Sequence, residues 1–437
     1  MRALLIGGGG REHAIGLSIV KSGTELAVIS PNENPGLMRI AKKVIIGDEN
    51  NGKWVLRNAT KLKPDYVFIG PESPVAHGVS DILLDNGFKV FAPSSEAAKL
   101  ETSKAFCRKF MSENQVKGNI ESTPFSDPDK AERFIRDIDY DFVLKPDGLT
   151  GGKGVVVQGV HFKSREEGIG IAREYLATGK AKLLVEKKVV GEEFSLQGFV
   201  KGSRISFLPI VQDYKRAFEG DRGPNTGGMG SVCFSERGLP FIDKGIVDKA
   251  KDILEDLVRK FNRKVTSYVG PIYGGFIATH DGPKLLEINA RLGDPEAMNV
   301  LSLMETSIME VAAGMLLGLQ IKPELRDRIN VIRYLVPRGY GTKPAPSVLE
   351  IDEEKVMVKG LRIFYASVNQ DGNRIRQTTS RSVALMSEGS DIEEVNSRFS
   401  NISSLIKGEY EMRNDIGTEK SIERKKRAMK IIMSQRA

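Results

Sequence analysis

Apolar residues along this chain recur first with the spacing of a strand and then with that of a helix. Residues 2–6 read as a strand, Gly7 to Gly10 as a loop, and Arg11 to Ser22 as a helix with one apolar face. Further apolar runs at Leu26–Ile29, Tyr66–Ile69 and Lys89–Phe91 predict strands. The last two end on the turn residues Gly70-Pro71-Glu72 and Ala92-Pro93. Strands alternating with helices predict a parallel sheet with ligands at the carboxyl ends of its strands. This first α/β domain closes near residue 103.

The pattern then changes to one of antiparallel sheet. Phe142–Lys145, Val155–Val157 and Leu183–Glu186 are short β-rich runs around the glycines of 148–154, and longer runs follow at Glu193–Val200 and Arg204–Ile210. Asp243 to Asn262 has helical spacing. Ile272–Thr279 and Lys284–Asn289 flank Asp281-Gly282, a strong hairpin signal. Ser302 to Leu319 reads as a core helix. From about Asn330 the chain turns rich in Pro and Gly, continues as short strands, and ends in a basic helix from about Thr418. The expected organisation is α/β and α+β: an N-terminal domain over 1–103, a core over 104–329 and a small C-terminal domain over 330–437.

Composition narrows the function. The 437 residues carry a net charge of +8, with 40% hydrophobic and 28% charged residues, as in an ordinary globular protein. Part of the basic excess is Glu423-Arg424-Lys425-Lys426-Arg427, expected to be a solvated helix face. No aromatic-interleaved basic patch points to nucleic acid. Two cysteines, Cys107 and Cys233, and four histidines exclude a disulfide scaffold and a zinc centre. The apolar start halts at four glycines, too short for a secretory leader, and Val311–Ile321 is about half a membrane span. A cytoplasmic protein is expected, without a membrane or nucleic-acid partner.

Several segments carry candidate chemistry. Glu287, Asn289 and Arg291 alternate along one strand and so face one side. A carboxylate and an amide oxygen suit Mg²⁺, and the arginine suits a phosphate or carboxylate. Arg222 to Gly230 is a glycine-dense loop, and Lys145 to Gly154 is a second one with two lysines, suited to folding over phosphate. Gly7-Gly8-Gly9-Gly10 resembles a dinucleotide fingerprint, but Glu12 stands where its third glycine belongs, which disfavours a nicotinamide-dependent oxidoreductase. A phosphate of a smaller ligand at this helix start fits better. Glu33 sits at roughly the distance expected of a ribose-binding acid. Glu186, followed by Gly191-Glu192-Glu193, suits the hinge and ribose contacts of a nucleotide. Gln212-Asp213-Tyr214-Lys215-Arg216 gathers opposite charges just before the Asn225 loop.

Taken together these segments resemble the glycinamide ribonucleotide synthetase family of ATP-grasp ligases. The likeness runs through Gly7–Ala14, Gly70–Pro74, Ser103–Phe106, Lys145–Val155, Gly191–Ser195, Gln212–Arg216, Gly223–Gly230, Glu287–Glu296 and Asp415–Gly417. The resemblance implies an ATP-grasp core with a mobile lid over about 122–192. It implies ligation of glycine to 5-phosphoribosylamine with ATP, through glycyl phosphate, by a monomer. Carried over by motif, Lys104, Lys145 and Lys153 contact the ATP phosphates, and Glu186 and Glu193 hold adenine and ribose. Glu287 and Asn289 bind Mg²⁺, with Mn²⁺ as a possible substitute. Arg291 and the loop Asn225, Gly227, Gly228 and Met229 hold the reacting carboxylate, and Asp294 lies with them. Gly9, Gly10, Pro71 and Glu72 line the phosphoribosylamine site near Asp213, Lys215 and Arg216, with Arg291, Lys153 and Asp213 closest to the chemistry. The chain departs from the family pattern at Lys187 and Lys188 after the hinge glutamate, at Thr379-Ser380-Arg381 in place of Gly-Gly-Arg, and at Thr418 after Asp415-Ile416-Gly417.

Overall fold

The computed structural model describes residues 1–149, 154–179 and 181–434. β1 (Arg2–Ile6), β2 (Glu25–Ser30), β3 (Lys43–Ile46), β4 (Tyr66–Ile69) and β5 (Val90–Phe91) form a parallel sheet in the order β3-β2-β1-β4-β5. Leu4 of β1 lies between Ala27 and Val67. Residues 3–6 and all of β4 are buried, the continuous apolar run of a sheet covered on both faces. β3 has no such run, because it lies at the sheet edge and none of its residues is fully buried, so its pattern did not announce it. The chain winds outward from β1 in both directions. That reversal leaves a crevice beyond the carboxyl ends of β1 and β4, where Gly7–Gly10 and Gly70–Glu72 lie.

β6 (Ser122–Phe125), β7 (Phe142–Pro146), β8 (Val156–Val157) and β9 (Leu183–Lys187) form a separate antiparallel sheet, in the order β6-β9-β7-β8. Phe142, Leu144, Leu183 and Val185 pack there against Ala131 and Ile135 of the helix Pro128–Asp137 and Ile169, Ala172 and Leu176 of the helix Arg165–Ala177. This core is distinct from the large one that runs through the rest of the molecule.

The largest sheet has nine strands. β10 (Glu192–Lys201), with β11 (Arg204–Phe207) paired to it, leads to β12 (Val211–Asp213), then past the ribbon β13 (Arg216–Phe218) and β14 (Arg222–Asn225) to β15 (Gly230–Cys233). β16 (Val269–Thr279) and β17 (Gly282–Asn289) form the expected hairpin, closed by Thr279 opposite Gly282. β18 (Ile329–Leu335) pairs with β15 and continues the same sheet toward the C-terminal segment. There β19 (Val348–Ile351), β21 (Val368–Asp371), β22 (Arg374–Gln377) and β24 (Ile406–Lys407) make a four-stranded sheet, while β20 (Leu361–Tyr365) and β23 (Val383–Gly389) join the large one, in the order β17-β16-β10-β12-β15-β18-β23-β20. The chain beyond residue 330 therefore shares its main sheet with the middle of the molecule.

Two expectations are corrected. The single helix over Ser302–Leu319 is two, Glu296–Leu303 and Ile308–Leu316. Ser307 starts the second: its hydroxyl accepts from Glu310 N–H at 3.1 Å, and the Glu310 carboxylate accepts from Ser307 N–H at 2.6 Å. Those reciprocal bonds satisfy donors that a continuous helix would direct elsewhere. The basic tail, within the helix Glu419–Ser434, is not wholly a solvated face: Lys425 is buried, pairs with Glu192 at 2.9 Å and lies 5.3 Å from the Tyr214 ring centroid. Among the described residues no helix is long and apolar enough to cross a membrane.

Candidate active site

The alternation of β17 directs Glu287 and Asn289 to one side, where Asn289 Nδ2 lies 3.4 Å from Glu287 Oε1. They face a cleft of about 660 Å³ that also receives Lys104, Lys145, Lys215 and Arg291. Burial would raise the Glu287 pKa, but Lys215, Lys145 and Lys104, with the Asn289 contact, hold it below its usual range. An ionised carboxylate beside an amide oxygen is a fitting partial ligand set for Mg²⁺, which takes one or two carboxylates and completes its shell with water and substrate phosphate. Among the described residues no cluster of three or more His, Cys, Asp or Glu could hold a metal alone, so bound phosphate would have to supply ligands.

Opposite this strand, Lys104 and Lys145 are set by side chains far away in sequence. Ser103 caps the helix Lys104–Glu113, accepting from Phe106 N–H at 3.1 Å. Asp147 accepts from Ser103 Oγ at 3.1 Å and from Ala105 N–H at 3.1 Å, placing its charge at the positive end of that helix. Lys104 donates to the Gly148 carbonyl at 2.7 Å, and burial lowers its pKa against the pull of Glu287 and Asp147. Glu186 is 2% exposed and pairs with Lys145 and, at 2.7 Å, with Arg108 Nε. Burial opposes its ionisation, yet Arg108 and Lys145 hold its pKa low. With its carboxylate so engaged, Glu186 sets Lys145 in place. Arg108 also donates to the carbonyls of Leu285 and Leu286, at 2.8 and 2.9 Å, tying this wall to β17.

The glycine-dense loop closes a third side. Arg381 Nη1 donates to the Gly227 carbonyl at 2.5 Å and to the Asp294 carbonyl at 2.7 Å, while Tyr334 Oη donates to Asp294 Oδ1 at 2.6 Å. Gly228 has φ +106°, and a Cβ there would stand 2.7 Å from Asp213 Oδ1 and 2.8 Å from Pro295 Cδ. Only glycine permits so close an approach. Asp213 Oδ1 has no hydrogen-bond partner among the described residues, and burial with the nearby Glu296 charge raises its pKa well above the carboxylate range against Lys215 and Arg381. Lys215 donates to Glu193 at 3.0 Å, and Arg216 donates to the Gly223 carbonyl at 2.8 Å across the ribbon.

Arg291 joins the cleft to the sheet crevice. Its Nε lies 2.8 Å from Glu72 and 3.2 Å from Glu101. Arg291 holds Glu72 down to a pKa of about 2 against burial, whereas burial raises Glu101 despite Arg291. Glu101 in turn accepts from Ala290 N–H at 2.7 Å. A second cavity, of about 190 Å³, lies at the strand ends between Gly8, Gly9, Pro71 and Ser380 and shares Arg11, Asp294 and Arg381 with the cleft. Glu12 accepts from Gly9 N–H at 2.7 Å and from Arg11 Nε at 2.6 Å, so a carboxylate already occupies that loop donor.

The structure thus brings together Lys104, Lys145, Glu186, Glu193, Asp213, Lys215, Arg216, Asn225, Gly227, Glu287, Asn289, Arg291, Asp294 and Glu72 around one cleft, with Gly9 and Pro71 on the adjoining cavity. Lys153 lies outside the described residues. Four expected contacts fall elsewhere. Met229 is 1% exposed, its side chain in the large core and its backbone bonded to Tyr214 and Tyr334. Gly228 serves the close approach to Asp213, and Gly10 packs where a Cβ would meet Tyr334 Oη at 2.6 Å. Glu33 is exposed and bonds through its backbone to Asn369, away from both cavities. Arg108, Glu101, Asp147 and Lys425 were not anticipated; each works through a partner distant in sequence, so no local pattern marked it.

A family model described as the phosphoribosylglycinamide synthetase ATP-grasp (A) domain matches residues 102–297, and the N domain of the same family matches residues 1–101. The chain is 42% identical over 431 residues to a phosphoribosylamine–glycine ligase of Thermococcus gammatolerans, covering 98% of both chains, and 39% identical to that of Pyrococcus horikoshii, again covering 98% of each. A crystal structure of the phosphoribosylamine–glycine ligase of Thermotoga maritima superposes with a TM-score of 0.80 at 26% identity, covering 95% of this chain and 100% of that one. With both family models matched over residues 1–297 and 98% of the relatives' length covered, the chain belongs to the phosphoribosylglycinamide synthetase family of ATP-grasp ligases.

Proposed function

We propose that this chain joins glycine to 5-phosphoribosylamine with ATP, giving glycinamide ribonucleotide, ADP and phosphate. The observation that carries this reading is the junction at Arg291. It places the Glu287–Asn289 pair and its lysines, suited to a nucleotide phosphate, beside a polar cavity at the ends of a parallel sheet, suited to a sugar phosphate.

A carboxylate does not condense with an amine at neutral pH, because oxide is not a leaving group. A glycine carboxylate oxygen attacks the γ-phosphorus, the bond to the β–γ bridging oxygen breaks, and ADP leaves. The resulting glycyl phosphate is attacked at its acyl carbon by the amine nitrogen, phosphate departs, and the nitrogen loses a proton. Lys104 and Lys145 offset charge on the transferring phosphoryl group, as does Lys153 in this reading. Arg291 and the backbone of Asn225–Gly227 orient the acyl group. Asp213, which lines the cleft beside Lys215, takes the proton when ionised. Mg²⁺ on Glu287 and Asn289 would neutralise phosphate charge during transfer, and Mn²⁺ suits the same oxygen donors. Glycyl phosphate hydrolyses in bulk water, so the reaction requires a cleft closed to water.

The test is ADP release from Mg-ATP with each component omitted in turn. Turnover that needs both glycine and the amine supports the ligase. ADP release with another carboxylate but not with glycine overturns the substrate, and an absence of turnover overturns the enzyme.

A further inference from the structure

Three acids line the cavity at the strand ends, Glu12, Glu49 and Asp294; the mechanism above uses none of them, and only Glu49 has a buried oxygen without a partner among the described residues. Glu49 sits in the turn between β3 and the helix Gly52–Leu62, and it lines this cavity with Gly8, Gly9, Asn32, Pro71 and Ser367. It is 9% exposed, and its Oε2 meets no hydrogen-bond partner among the described residues. The charged groups around it are Asp48 in the same turn, Arg11 and Glu12 from the first helix, Glu72 beyond β4, and Asp294 and Arg381 across the cavity. Burial, then repulsion from Glu12, raises its pKa to about 8 against the pull of Arg11.

A buried carboxyl group without partners is costly unless something in the cavity satisfies it. The chemistry of that occupant is restricted. A phosphate here would meet the like charges of Glu12 and Glu72, and an alkyl group would leave the Glu49 oxygens bare. Adjacent hydroxyls on a sugar ring instead offer two O–H donors to the two oxygens of one carboxylate. In open α/β sheets an acid at a strand end is a recurrent partner of ribose hydroxyls.

We propose that Glu49 is the residue by which this site reads ribose, its carboxylate accepting hydrogen bonds from the ring hydroxyls of the sugar-phosphate substrate. This rests on the substrate assigned above. Glu33, the acid whose spacing suits the ribose of a dinucleotide cofactor, lies away from this cavity. Hydroxyl donors stabilise the ionised form, so below about pH 8 binding releases a proton from Glu49 to solvent.

The test is calorimetric binding of glycinamide ribonucleotide and its 2-deoxyribose counterpart to wild type, Glu49→Gln and Glu49→Ala. Wild type is expected to prefer the ribose form by about tenfold or more, as for hydrogen bonds to a charged group. Both variants should lose most of that preference, and Glu49→Gln should abolish proton release measured in buffers of differing ionisation enthalpy at pH 7. In turnover, the variants should raise KM for the amine while leaving KM for glycine and ATP near wild type. Retained preference in both variants, or equal weakening of the ribose and deoxyribose forms, overturns the role of Glu49. If wild type shows no ADP release with glycine and the amine, it is instead the substrate assignment that fails. Glu49→Gln keeps the side-chain shape, so loss of folding in Glu49→Ala alone leaves the test decisive.

Discussion

Arg381 is fastened to Asp294 twice, donating to its backbone carbonyl at 2.7 Å and lying 3.3 Å from its carboxylate. Through its bond to Gly227 the same guanidinium holds the glycine-dense loop against the segment that follows β17. Arg381→Ala should lower kcat/KM by about a hundredfold, the scale of losing two or three charge-assisted hydrogen bonds. Arg381→Lys should recover little of it, because an ammonium cannot span the fork. Steady-state kinetics on both variants checks this, and turnover within twofold of wild type refutes it.

Glu287→Ala should reduce turnover by about a hundredfold or more and raise the magnesium concentration needed for half-maximal rate. The carboxylate is held ionised by Lys215, Lys145 and Lys104, so its loss also leaves those cations facing one another. A magnesium titration of the variant that overlays wild type would remove Glu287 from the metal site.

Arg108 and Glu186 form a buried pair, and removing one partner strands the other. Arg108→Met should destabilise the fold by about 3–5 kcal/mol, read from urea midpoints. Replacing both partners with apolar side chains should recover much of that loss. The Glu186 pKa is depressed, so its contribution is present above its ordinary value of 4.5 and is lost as pH falls through the lower folded value. The stability gap between wild type and Arg108→Met should therefore narrow in acid.

His13 predicts a second pH effect. It is buried, accepts from Tyr365 N–H at 3.0 Å, and its pKa is lowered by burial, then by Arg39, from 6.5 to about 3. The unfolded chain binds a proton there between those values while the folded one does not. Stability from this site is complete above about pH 6.5 and declines as pH falls toward 3. His13→Gln should flatten that part of the stability profile; an unchanged slope would show that His13 is not its source.

The parts of the fold that the sequence announces are those with local signals. Asp281-Gly282 between two apolar runs fixed a hairpin, and with it the common facing of Glu287 and Asn289. The loop-bearing carboxyl ends of β1 and β4 followed from apolar runs ending on Gly and Pro, whereas the strand order did not. What was hidden is non-local. Arg108 finds Glu186 at a separation of 78 residues, and Arg381 finds Asp294 at 87, distances over which periodicity says nothing. Met229 shows the opposite failure: a motif invites one role for all its residues, while packing assigns this side chain to the core. Ser307 was legible in principle, since Ser-x-x-Glu is a helix start, but the apolar run on either side concealed it.

The two cores do not merge, and this bears on how the molecule comes apart. The side chains around Phe142 and Leu144 form a cluster of their own, small beside the one that continues from β1 to the C-terminal helix. A cluster of that size is the weaker cooperative unit, and units of unequal strength open separately in native-state exchange. On warming, amide protons of β6, β7 and β9 should exchange before those of β16 and β17. Lys145 would leave with the first unit while Glu287 and Asn289 stayed in register with Tyr273 and Gly275. Nucleotide affinity would then vanish at a lower temperature than the parallel sheet and the cavity at its strand ends.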